Sequence, residues 1–191
     1  MDAESQMRLA AELKDRLDAY VVSSGFRDRF MDAMEWALGV LETPEDSLPR
    51  CGPPRCGPPA ALDERAHEIA VDSLLFDRRG PGRRTLAERY IDFTRSLTIA
   101  EHRILDRWRD GGILGAFEVL TFPGPGRRVA GRNLADGSVY RLVLREAMHH
   151  RIAARIRPGA LLTGRALPVG DEWLLVGTGN RTPVLDAVSR R

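Results

Sequence analysis

The apolar residues of this chain change period at Gly111-Gly112, from helical spacing before the glycines to a period of two after them. One element type cannot satisfy both periods, so helices and strands must be segregated along the chain, which predicts an α+β protein. Before the glycines, Leu9, Leu13, Leu17 and Val21 fall four apart and form one stripe of a first helix. Ser24-Gly25 supplies its stop. Phe26, Phe30, Ala33, Met34, Ala37, Leu38 and Leu41 repeat the pattern, so residues 1–42 are expected to form a helical hairpin. Trp36 and Val40 lie off that stripe and offer a second contact surface.

Six prolines between positions 44 and 59 exclude a helix or central strand there, and residues 43–61 read as an exposed linker of polyproline character. Arg-Cys-Gly-Pro-Pro occurs twice within it, at 50–54 and 55–59. Helix resumes near Leu62 and runs to about Phe76. Thr85-Leu-Ala-Glu88 and Thr98-Ile-Ala-Glu101 are capping boxes, each starting a further helix, so 62–112 is a three-helix segment.

Five short strands follow, at Ala116–Phe122, Arg127–Leu134, Val139–Glu146, Leu161–Val169 and Glu172–Gly177, separated by Gly/Pro and Asp-Gly turns. Tyr140, Leu142 and Leu144 fall on one face of the third strand, Arg141 and Arg145 on the other. Such spacing predicts a five-stranded antiparallel small barrel, SH3-like or similar, over 113–183, with a tail at 184–191.

Charge is divided by position. Residues 1–76 hold 15 acidic and 8 basic residues, a net of −7, whereas 77–191 hold 12 and 21, a net of +9. Lys14 is the only lysine, and the other 28 cations are arginines, which fork onto carboxylates and phosphates. Arg78, Arg79, Arg83 and Arg84 bracket a Gly-Pro-Gly loop that opens a helix, where guanidiniums and backbone N–H groups can hold an anion. Arg127, Arg128, Arg141 and Arg145 belong to a second concentration, nine arginines against Asp136 and Glu146 in residues 124–165. A basic stripe on a small barrel points to nucleic acid or another polyanion. The same arginines can instead pair with the acidic N-terminal helices, an intramolecular use.

No catalytic constellation, metal site or cofactor motif emerges. Cys51 and Cys56 lack a second ligand pair at zinc spacing, and His67-Glu68 lacks the second histidine of a zincin helix. His149-His150 sits beside Arg151 and Arg155, where a cation is disfavoured. There is neither a nucleophile elbow nor a P-loop lysine. No apolar run approaches the roughly 20 residues of a membrane span. The opening MDAESQMRLAAELKDR is charged throughout, so a cytoplasmic location away from membranes is expected.

From Thr85 onward the order of features is Thr85-Leu-Ala-Glu88-Arg-Tyr90, Glu101-His-Arg-Ile-Leu105, Phe117-Glu-Val119, Pro123-Gly-Pro-Gly126, Arg132-Asn-Leu134-Ala-Asp136-Gly137 and Arg157-Pro-Gly-Ala160-Leu-Leu-Thr-Gly-Arg165. It resembles the uncharacterised bacterial proteins in which a helical segment and a small β-domain accompany a SEC-C zinc motif. The resemblance covers residues 72–178 and implies helices followed by a β-domain. The zinc-binding cysteine cluster of those proteins is absent here, so any role of that motif in partner binding does not carry over. The expectation is a non-enzymatic module whose basic barrel contacts nucleic acid or a polyanion. The alternative is a protein–protein adaptor that self-associates or docks a partner through residues 1–42.

Overall fold

The computed structural model describes residues 2–42, 59–121, 127–145 and 156–176. Five α-helices come first: α1 (Ala3–Val21), α2 (Arg27–Glu42), α3 (Pro59–Phe76), α4 (Leu86–Phe93) and α5 (Ile99–Gly111). Five strands follow: β1 (Ile113–Val119), β2 (Arg128–Asn133), β3 (Val139–Leu144), β4 (Leu161–Val169) and β5 (Glu172–Val176). The linker positions 43–58 with Cys51 and Cys56, the pair His149-His150, and the tail 184–191 lie outside the described residues. Among the described residues no helix is long and apolar enough to cross a membrane.

Both capping boxes form. Thr98 Oγ1 accepts from the Glu101 backbone N–H at 3.3 Å, while the Thr98 N–H donates to Glu101 Oε2 at 2.6 Å. Thr85 and Glu88 repeat the exchange at 3.3 and 2.7 Å. Each box satisfies two backbone donors that a helix start leaves open. α3 begins at Pro59, a few residues before the expected Leu62. Proline is tolerated there because a first helical position has no N–H partner to lose.

The chain divides into two compact units, residues 1–15 with 93–191, and residues 16–92. In the second unit α2 packs along α3, Phe30 meets His67 edge-on with ring centroids 5.2 Å apart, and Tyr20 contacts Phe26 and Tyr90 in the same manner. In the first unit α5 packs on β4, and Trp108 Nε1–H donates to the Pro168 carbonyl at 3.2 Å.

The strands close into a barrel in the order β1-β2-β3-β5-β4. The expectation of a purely antiparallel barrel is corrected here: β3 and β5 run parallel, with Val143 opposite Leu174, and the other four pairings are antiparallel. Five residues separate β2 from β3 and two separate β4 from β5, whereas 16 residues separate β3 from β4. That length lets β4 cross to the free edge of β1, and β5 then fills the gap beside β3. Parallel neighbours need a crossover of this kind.

Phe117, Val119, Val129, Leu142, Leu144, Leu162, Ala166 and Leu175 fill the interior, with Tyr140 and Trp173 packed against them. Gly131 faces inward where there is no room for a side chain: a Cβ there would lie 2.5 Å from Leu142 Cδ1 and 3.3 Å from Phe117 Cβ. The Asp136-Gly137 turn is present, with Gly137 at φ +73° and Asp136 Oδ1 accepting from the Ser138 N–H at 2.8 Å.

Candidate anion-binding surfaces

On β2 and β3 the alternation that sends Val129, Leu142 and Leu144 inward sends Arg128, Arg132 and Arg141 outward. The register places Arg141 opposite Ala130, between Arg128 and Arg132, so three guanidiniums rise from neighbouring positions of one antiparallel pair. Their surroundings differ. Arg128 forks onto Glu172 through two bonds of 2.7 and 3.2 Å, and that hydrogen-bonded carboxylate holds the guanidinium above its ordinary pKa despite some desolvation. Arg132 reaches Glu118 at 3.5 Å with its side chain 51% exposed. Arg141 is 67% exposed, approaches an Asp171 oxygen at 4.0 Å and donates to the Asp171 carbonyl at 3.2 Å. Exposed pairs of this looseness are worth about 0–1 kcal/mol, so an arriving phosphate can displace them.

Arg145, just past β3, pairs with Asp15 of α1 and is only 24% exposed. Arg127 opens β2 with φ +61°. Both line a cleft of about 930 Å³ between the first half of α1 and the barrel wall. Glu4, Glu12 and Asp15, with Arg8 among them on α1, face Arg127, Arg128 and Arg145 across it, above an apolar floor of Val143 and Leu174. Arg128 and Arg145 thus serve the acidic N-terminal segment and the barrel itself, whereas Arg132 and Arg141 face solvent. Arg165, counted in the basic stretch, is buried on β4 beside Gly112.

The second candidate surface lies in the other unit, on the loop between α3 and α4. Two main-chain bonds close it, Gly80 N–H to the Arg84 carbonyl and Arg83 N–H to the Gly80 carbonyl, both 2.9 Å. Arg79 Nη1 donates to the Arg83 carbonyl at 3.1 Å, and Arg84 pairs with Asp92. The Arg78 guanidinium stacks over the Trp36 ring of α2, 4.7 Å from its centre. Arg83 stands exposed at φ +58°. The four arginines expected to act together therefore divide: Arg79 and Arg84 shape the loop, and Arg78 and Arg83 flank it.

Two residues outside the candidate set join these surfaces. Arg132 had a signal, since it lies four residues from Arg128 on one strand face. Arg29 of α2 had none, because nothing local brings it to Gly80, where its guanidinium lies. Among the described residues no group of three or more His, Cys, Asp or Glu could hold a metal ion. Comparisons with family models, curated proteins and solved structures find no match.

Proposed function

We propose that the protein is a non-enzymatic binding module that contacts nucleic acid, or a polyanion of similar charge density, through the outer face of β2 and β3. The observation that carries this reading is the pair Arg132 and Arg141, outward on adjacent strands and held by exposed, loose ion pairs and, for Arg141, one bond to the Asp171 carbonyl. Three consecutive strands with a fourth returning beside the first make a Greek key, so the barrel reads as OB-like more than SH3-like. Barrels of that kind carry oligonucleotides on the face of strands 2 and 3. The analogy is at the level of fold, and the arginines give it its chemistry. Aromatic platforms are absent from the outward positions of β2 and β3, since Tyr140 packs inward, so contact rests on phosphates and is sequence-tolerant.

Salt-dependent retention of the full chain on single-stranded DNA tests this reading, with wild type beside an Arg132→Ala/Arg141→Ala double variant. Loss of two phosphate contacts reduces the log–log salt slope by about 1.4. Identical slopes, with circular dichroism unchanged, would overturn the assignment of this face.

A second reading rests on Arg128 and Arg145, whose partners Glu172 and Asp15 lie in the same unit. On that view the arginines are structural, and the protein is an adaptor docking through residues 1–42, where Val22 and Met31 are exposed. It predicts that Met31→Glu converts a self-associated chain to monomer in light scattering while DNA retention is absent from the start.

A further inference from the structure

We propose that the α3–α4 loop, together with Arg29 of α2, forms a site for a phosphate group, separate from the barrel face. Arg29 is the key residue. Its guanidinium lies so close to Gly80 that a Cβ at this position would be 2.7 Å from Nη1 and 3.0 Å from Cζ. Nη1 is buried and meets no hydrogen-bond partner among the described residues. A buried charged donor without an acceptor is costly, and a bound ion or water is one ordinary explanation for such a group.

The neighbours suit an oxyanion. Trp36 follows Arg29 by seven residues, two turns along the same face of α2, and holds Arg78 by stacking on it. A stacked guanidinium keeps its edge N–H groups available for an in-plane acceptor. Arg83 stands exposed in the loop in a left-handed conformation that is unfavourable for a non-glycine residue, and such outliers cluster at ligand clamps. Arg79 and Arg84 are spent on the loop's own geometry, which leaves Arg29 at Gly80, with Arg78 and Arg83 on either side of that glycine in the loop, as the cations offered to a ligand. Of the acidic residues close in sequence, Asp28 and Asp32 share α2 with Arg29, Asp77 opens the loop and Asp92 is engaged by Arg84. A phosphate dianion, with three strong acceptor oxygens, matches three guanidiniums better than a carboxylate with two.

Thermal unfolding of the full chain in inorganic phosphate, against chloride at equal ionic strength, tests the site. Binding to the folded state alone raises the unfolding temperature, by about 5–10 °C when phosphate is near a hundredfold excess over its dissociation constant. Arg29→Gln should abolish the shift, and Arg29→Lys, which keeps charge but loses the fork, should restore only part of it. Gly80→Ala is the second variant. Gly80 has φ −93°, a value alanine adopts freely, so this change displaces the Arg29 guanidinium and leaves every charge in place. It should weaken the phosphate response at least tenfold in concentration.

The Arg132→Ala/Arg141→Ala protein should keep the full shift, so failure of this site and failure of the barrel reading are told apart. A 5′-phosphorylated oligonucleotide that competes where its unphosphorylated twin does not would identify a nucleic-acid end as the source. Competition by small phosphate esters alone would identify a free metabolite. Absence of any shift beyond that in chloride, or an equal shift in wild type, Arg29→Gln and Gly80→Ala, would overturn the proposal.

Discussion

Gly131 occupies the one inward position of β2 that cannot carry a side chain. Leu142 is fully buried and Phe117 Cβ is part of the opposing strand, so neither can retreat far from an added methyl. Gly131→Ala should therefore destabilise the barrel by about 1–3 kcal/mol through overpacking, read as a lower urea midpoint at constant slope. Gly137→Ala would act by another route, through its φ of +73° in open space. At this scale the sequence is legible where alternation decides: Tyr140, Leu142 and Leu144 point inward and Arg141 outward because a strand permits nothing else. It is illegible where contact is long-range. Arg29 and Gly80 are 51 positions apart, and no periodicity links a helix position to a loop glycine.

Helix starts carry their own local chemistry, and this is why α4 and α5 are legible at their first residues, whereas β1 runs Ile113–Val119 and not the expected Ala116–Phe122. Thr98 and Thr85 announce α5 and α4 through residues three positions later. Thr98→Ala removes an acceptor for the Glu101 N–H and a donor to the buried Glu101 carboxylate, at 3.3 and 2.8 Å. A loss of about 1–2 kcal/mol is expected from chemical denaturation, and Thr98→Ser should recover most of it. Pairing between elements is another matter. The tight turns favour neighbours in sequence, which is why an all-antiparallel arrangement was the natural expectation. The parallel pair of β3 and β5 depends on where a long connection lands, and hydrophobic spacing holds no record of that.

Over the whole molecule, charge is divided into −7 over residues 1–76 and +9 over residues 77–191. Within the unit that holds the barrel it is partly spent at home: Asp15 occupies Arg145 and Glu172 occupies Arg128. Neutralising such a carboxylate should release a guanidinium for outside anions. Asp15→Asn should thus elute from heparin at higher salt than wild type, and more so than Asp110→Asn, which removes the same charge from an exposed pair with Arg109 on α5. Equal elution of the two variants would assign Arg145 a structural role alone.

The position of β5 has a further consequence, for synthesis. β3 and β4 do not pair with each other, and the seam between them is closed by β5, the last strand among the described residues. Until Val176 has left the ribosome, the nascent barrel exposes two unsatisfied edges, one from each side of that seam. Open edges of this kind recruit other chains. A ribosome stalled before Glu172 would release a product prone to aggregate, so the last few residues of the barrel act as its lock as well as its wall.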